Sequence, residues 1–300
     1  MKTRIIVAAI LLPVFFAILF IFPPVILTFV ISVISAIAAH ELLCAVKIIN
    51  KRVFVYTIIA AAFTPLAVYI SNIIRYSAGD GGAVYYENLA NLLQITMLLA
   101  IFFIFICELL IEFVLTYKSK KAIQKGTQLK FFQIPVALAA GMLIPFMLSA
   151  LVSLKTMPYG HLFVLLPIIA AFMTDSGAYF IGVTMGKTKA FPTISPNKTI
   201  EGCVGGVIVG TLGMLIYGII LSSTTSLTVV FPALILYGII GAVITEFGDL
   251  VFSFFKRKCG IKDYGKIMPG HGGALDRFDS MTFCAPVMYL LVLLVPAVIY

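Results

Sequence analysis

Residues 90–107 read ANLLQITMLLAIFFIFIC, a run without a single charged side chain. A helix rises about 1.5 Å per residue, so about 20 such residues cross the roughly 30 Å hydrocarbon core of a bilayer. This run stays largely apolar to residue 117, and comparable segments recur along the 300-residue chain. They lie at approximately 5–22, 25–46, 53–74, 90–117, 131–154, 159–184, 200–222, 228–252 and 280–299. Continuous apolar segments point to helices, because a transmembrane barrel would show alternating strands of about ten residues. Composition agrees. Hydrophobic residues make up 62% of the chain and charged residues 11%, against roughly 45–50% and about 25% in soluble globular domains. Soluble, fibrous and disordered classes are excluded. The expected fold is an all-α integral membrane protein, a polytopic bundle of about nine transmembrane helices.

The connections alternate in charge. Lys2 and Arg4 precede the first segment, and Pro23-Pro24 follows it without charge. Lys47, Lys51 and Arg52 come next, then Arg75 with Asp80 and Glu87, then Lys118, Lys120, Lys121, Lys125 and Lys130. Lys155 stands alone, Lys187, Lys189 and Lys198 follow, residues 222–228 are uncharged, and Lys256, Arg257, Lys258, Lys262, Lys266 and Arg277 close the series. Every basic residue except Arg75 and Lys155 therefore falls on one side. The positive-inside rule makes that side cytoplasmic, with the N-terminus in the cytoplasm and the C-terminus outside. The net charge of +9, from 21 basic and 12 acidic residues, thus reports topology rather than a nucleic-acid surface. Lys2 and Arg4 before an apolar run resemble a signal-peptide start, but no small-residue cleavage site follows, and the run is expected to be retained as the first helix. Cys44, Cys107, Cys203, Cys259 and Cys284 are scattered without a CxxC pair, which suggests neither a disulfide framework nor a zinc site.

Intramembrane acids divide the chain. The first part holds His40, Glu41, Glu108 and Glu112, whereas Asp175, Glu201, Glu246, Asp249, Asp263, Asp276 and Asp279 crowd the second. Residues 1–155 are read as about five helices, lipid-facing or dimer-forming, and residues 156–300 as about four helices with cytoplasmic catalytic loops. Acids in membrane segments are functional candidates because they are costly unless paired, hydrated or metal-bound. Glu108 and Glu112, one turn apart, read instead as a helix-end pair with Lys118 or its neighbours. Gly202, Gly206 and Gly210 stand four apart, as do Gly182 and Gly186, a spacing that lets helix backbones approach closely.

Three stretches carry candidate chemistry. Asp175-Ser176-Gly177-Ala178-Tyr179 puts an acid inside an apolar helix, where it needs either a packing partner or a ligand. In Ser195-Pro196-Asn197-Lys198-Thr199-Ile200-Glu201-Gly202, Ser195 is expected to cap a helix with Pro196 in its first position. Lys198 and the hydroxyls of Ser195 and Thr199 would then sit at a positive helix end, as a phosphate site or simply a capped helix with a positive-inside lysine. The third runs from Gly248-Asp249 through Ser253, Lys256-Arg257, Lys262-Asp263 and His271-Gly272-Gly273 to Asp276-Arg277 and Asp279. Glu246 and Asp249 share a helix face, and Asp276 and Asp279 repeat the spacing where the last helix begins. Carboxylates of this kind suit Mg²⁺, which keeps waters and takes one or two carboxylates plus substrate phosphates. Metal, base and phosphate together fit displacement at phosphorus. An acidic and basic loop paired with itself is the structural alternative.

These residues resemble the phosphatidate cytidylyltransferases, or CDP-diglyceride synthases. That signature, S-x-[hydrophobic]-K-R-x4-K-D-x-[small]-x2-[LIF]-[PG]-x-H-G-G-[hydrophobic]-x-D-R-x-D, is met in register from Ser253 to Asp279. Met268 and Ala274 depart mildly from it, and neither touches a charged group. The Asp175–Tyr179 stretch, the run from Ser195 to Gly202 and Gly248-Asp249-Leu250 also look like this family, so the resemblance covers most of residues 170–300. It implies a helical, often dimeric membrane enzyme, open to cytoplasm and bilayer, that makes CDP-diacylglycerol and pyrophosphate from CTP and phosphatidic acid. It implies Mg²⁺, with K⁺ as an optional second ion, in the cell membrane. By position Asp249 and Asp276 match the family's metal-binding aspartates. Asp249, Asp276, Asp279 and Lys262 are the candidate catalytic residues. Asp175, Ser195, Lys198, Thr199, Lys256, Arg257, Asp263, His271 and Arg277 are the candidate substrate-binding residues. Two rivals stand beside this reading: a related CTP-dependent kinase or cytidylyltransferase acting on another lipid or isoprenoid, and, more distantly, a transporter.

Overall fold

A computed structural model describes residues 13–76, 83–117, 129–267 and 272–299. Eight helices among the described residues are long and apolar enough to cross a membrane. The chain is an all-α, multi-pass membrane protein. The first apolar segment lies partly outside the described residues, with 13–20 helical. The chain divides into two compact units, Met1–Gly160 with Ile261–Arg277, and His161–Gly260 with Phe278–Tyr300.

In the first unit, α1 (Pro24–Ala45) opens with a proline in its first turn, where the missing N–H costs nothing. Asn50 caps α2 (Lys51–Tyr76), its Oδ1 accepting from the amides of Arg52 at 3.0 Å and Val53 at 3.3 Å. Its Nδ2 donates to Glu112 of α3 (Ala83–Tyr117) at 2.6 Å. Glu108 and Glu112 both pair with Arg52 of α2, at 3.3 and 3.5 Å. Lys118 lies outside the described residues. A cation on a neighbouring helix was invisible to spacing along one helix. The fourth helical span, α4 (Gln133–Thr156), contains one π-helical turn, Ala139–Leu143. Pro145 follows it, and a proline removes an N–H and crowds the carbonyl four residues back, which a wider turn accommodates. Buried Asn72 of α2 donates to buried Ser153 of α4 at 3.0 Å. Leu43, Val53, Ala60, Phe105, Leu109 and Ala137 form the apolar core of this unit.

In the second unit, α5 (Leu165–Met185) leads through an antiparallel ribbon, β1 (Lys189–Phe191) and β2 (Ser195–Thr199), into α6 (Ile200–Thr224). Next come β3 (Thr228–Val229), α7 (Phe231–Lys258), α8 (Leu275–Leu294) and β4 (Val298–Ile299), which pairs with β3. Residues 275–277 of α8 belong to the first unit and the rest to the second. Two expected boundaries move. Ser195 does not cap the helix, because residues 195–199 pair with β1 and leave Thr199 as the N-cap. The last helix begins at Leu275, so Asp276 and Asp279 both lie on its opening turns.

Large apolar side chains stay exposed along the spans, including Phe103 at 68% and Val183 at 69%, as hydrocarbon contact demands. The glycine spacing does what it suggests. A Cβ on Gly202 would meet the Ala178 carbonyl oxygen at 2.8 Å and the Gly182 Cα at 3.2 Å, so α5 and α6 touch backbone to backbone. Gly177 is as tight, its Cβ position 2.5 Å from Val209 Cβ and 3.1 Å from the Gly205 carbonyl oxygen. Gly177→Val is therefore expected to force α5 from α6 and destabilise the protein by about 1–3 kcal/mol, read as a lowered melting temperature in detergent.

Candidate active site

Three elements of the second unit bring its charges together. The ribbon β1–β2 delivers Thr199 to the start of α6, where its buried Oγ1 accepts from the Gly202 amide at 3.1 Å. Glu201 in the first turn takes the Thr188 amide on both carboxylate oxygens at 3.2 Å, fastening the ribbon to the helix. Lys198, one residue before the cap, reaches Asp249 of α7 with Nζ 2.8 Å from Oδ2. Ser253, one turn on, donates to the other Asp249 oxygen at 3.4 Å. Lys256 approaches Asp279 of α8 at 3.9 Å, and the Ser280 amide donates to Asp279 at 2.8 Å. Asp279 also feels the like charges of Asp249 and Asp175. Arg257 donates from Nε to the Ile194 carbonyl at 3.2 Å, which puts the end of α7 beside the ribbon.

Glu246 is buried, faces Gly206 of α6, and its Oε1 accepts no hydrogen bond. It shares its helix face with Asp249, and Lys198 feels both carboxylates. Burial alone would favour the neutral Lys198 amine. The Asp249 charge and hydrogen bond, with Glu246 behind them, outweigh burial and raise its pKa above the ordinary 10.5. The ammonium is thus held charged throughout the physiological range.

In the first unit the signature residues have other partners. Asp276 Oδ2 accepts from the amides of Tyr264 at 2.8 Å and Gly273 at 3.0 Å, holding these two backbone positions together. Gly272 turns there with φ of +88°, a conformation glycine adopts without a Cβ penalty. Lys262, Asp263 and Arg277 are exposed. His271 lies outside the described residues. Ser195 opens β2, half-buried, and Asp175 is exposed on α5. Glu41 of α1, which the sequence offered only as an intramembrane acid, accepts from the amides of Ala274 at 3.0 Å and Leu275 at 2.8 Å. Only a contact across 233 positions reveals it.

The donor set suits a hard divalent cation. Asp249 and Asp279 present carboxylate oxygens beside Lys198 and Lys256, and Glu246 Oε1 has no hydrogen-bond partner. Among the described residues no three His, Cys, Asp or Glu side chains form a ready-made metal cluster. Mg²⁺ does not need one, because waters and substrate phosphates complete its shell.

A model of the cytidylyltransferase family matches residues 2–295. The chain belongs to that family. It is 42% identical over 136 residues to a phosphatidate cytidylyltransferase of Bacillus subtilis, covering 45% of this chain and 49% of the relative. It is 42% identical over 139 residues to the phosphatidate cytidylyltransferase of Staphylococcus saprophyticus, covering 46% and 52%. For that of Staphylococcus haemolyticus the figures are 44% over 131 residues, 44% and 49%. The chain thus spans about half the length of the curated relatives it matches.

Lys198→Met is expected to leave Asp249 without its cation and to cost about 1–3 kcal/mol. Because the folded pKa of Lys198 is raised, this stabilisation is complete below the unfolded value of 10.5 and is lost as pH climbs through the higher folded value. Melting curves of the two proteins in detergent should therefore keep their separation through neutral and mildly alkaline pH and converge only above 10.5.

Proposed function

We propose that this cytidylyltransferase-family protein transfers CMP from CTP to phosphatidic acid, releasing pyrophosphate and forming CDP-diacylglycerol. The observation that carries the reading is the pair of lysine–aspartate contacts, Lys198–Asp249 and Lys256–Asp279, assembled on β2, α7 and α8 beside the α6 N-terminus. Phosphate can replace each aspartate as the lysine's partner, and free helix amides add a positive dipole end. The names of the relatives above supply the lipid acceptor, and the signature from Ser253 to Asp279 is consistent with it.

The chemistry asks little of a base. A phosphate monoester with a second pKa near 6 is largely dianionic at neutral pH, so its oxygen is already a nucleophile. That oxygen attacks the α-phosphorus of CTP, a new P–O bond forms, and the bridging P–O bond to the β-phosphate breaks. Lys198, Lys256, Arg257, Lys262 and Arg277 bring two anions together and hold them in line. Thr199 fixes the α6 end near Lys198, Ser195 and His271 are proposed phosphate contacts or loop shapers, and Asp263 is a proposed substrate-side loop shaper. Asp249 and Asp276 are the proposed protein ligands of Mg²⁺, an assignment resting on the motif and on carboxylate chemistry, with Asp279 and Asp175 adding negative charge. Mg²⁺, with K⁺ as an optional second ion, would neutralise charge growing on pyrophosphate.

We further propose a plasma-membrane location, catalytic loops toward the cytoplasm, N-terminus in and C-terminus out, and a homodimer. The Arg257–Ile194 bond joins two basic connections, and the positive-inside rule is the basis for reading their side as cytoplasmic. Purified protein with CTP, phosphatidic acid and Mg²⁺ is expected to release pyrophosphate and label the lipid with CMP. Asp276→Asn, which removes the charge while keeping an oxygen for the loop amides, should lower the rate by roughly two orders of magnitude. Release of CDP instead would assign a kinase, and no turnover by folded, Mg²⁺-replete protein would overturn the reading.

A further inference from the structure

We infer that Glu41 is a positioning residue: from α1 it orders the segments 261–267 and 272–277, which carry Lys262, Asp263, Asp276 and Arg277. Glu41 is 2% exposed, and both its oxygens are used, Oε1 by the Ala274 amide and Oε2 by the Leu275 amide. These donors stand at the opening of α8, where amides lack partners within the helix and the dipole is positive. A carboxylate there makes charge-assisted hydrogen bonds. The loop backbone also closes on this carboxylate from two places, since a Cβ on either Gly265 or Gly273 would overlap the Glu41 side chain. Asp276 clasps the same segment through the Tyr264 and Gly273 amides. Two carboxylates thus organise the loop. Asp276 clasps the segment from the opening of α8, whereas Glu41 reaches it from α1, across 233 positions of the chain. Lys262, Asp263 and Arg277 are exposed on this segment.

The kinetic consequence rests on the cytidylyl transfer proposed above; the structural one does not. If Glu41 holds the loop, its loss populates an unanchored loop, and substrate affinity falls by the fraction of molecules still competent. Glu41→Gln keeps the side-chain length but sets an amide donor against a backbone donor. Gly265→Ala displaces the carboxylate from the other side, and it carries the same measurements if Glu41→Gln does not fold. Full-length protein in detergent micelles is digested with trypsin at limiting enzyme, following cleavage after Lys266 and, as an internal reference, after Lys187 of the second unit. Cleavage after Lys266 is expected to speed about tenfold in either variant, with cleavage after Lys187 unchanged. The KM for CTP is expected to rise several-fold while kcat at saturating CTP falls less. Unchanged cleavage after Lys266 in folded variants overturns the inference, as does a rise at both sites in step, which marks general destabilisation. Faster local cleavage in a protein whose wild type transfers no CMP would sustain the positioning role and overturn the proposed reaction instead.

Discussion

A peptide group in hydrocarbon has no water to bond, and this single constraint shapes the chain from α1 to α8. Every spanning segment is helical because only a helix satisfies its amides within one segment. Several small hydroxyls obey the same rule, while those of Ser32, Ser35 and Thr174 have no hydrogen-bond partner. Thr28, Thr57, Thr64, Ser149, Thr211 and Thr282 each donate to the carbonyl four residues back, so these side chains enter the spans without leaving a bare group. The strands β1 to β4 are confined to connections and chain ends beyond the spans. Among the stronger buried polar groups, Asn72 bonds Ser153, Tyr217 the Leu162 carbonyl and Tyr237 the Val295 carbonyl, while Glu246 Oε1 has no hydrogen-bond partner.

Helices in lipid gain little from hiding apolar surface from one another, so close packing must hold them. Gly177, Gly202 and Gly206 bring α5 and α6 into backbone contact, and Gly210 extends the seam toward Ala242 of α7. A seam this tight fixes where α6 begins, which places Thr199 and Lys198 against Asp249. At helix ends a lysine meets an aspartate or a carboxylate meets free amides, whereas Asp175 and Glu246 stand within α5 and α7. In the first unit the same economy appears as Arg52 joined to Glu108 and Glu112, and as Glu41 joined to the opening of α8.

Much of the site was legible because its residues are chemically conspicuous against an apolar background. Asp249, Lys198, Lys256 and Asp279 were named from type and position, and they meet as two pairs in the second unit. The helix start at Ser195 was misplaced because a Ser-Pro pair signals a cap locally, while strand pairing with Lys189–Phe191 decides it at longer range. Arg52 joins Glu108 and Glu112 from the next helix, a contact that spacing along one helix cannot see.

By itself the sequence determined the class, the approximate helical spans and the residue types available for chemistry. Hydropathy is a local sum, and a charge in a membrane segment is conspicuous without knowledge of its neighbours. Only the tertiary structure decided which carboxylate each cation meets, that Thr199 rather than Ser195 opens α6, that Asp276 spends an oxygen on its own loop, and that Glu41 seats the start of α8. Those outcomes depend on distances between segments far apart in the chain, and the pattern of one segment does not contain them.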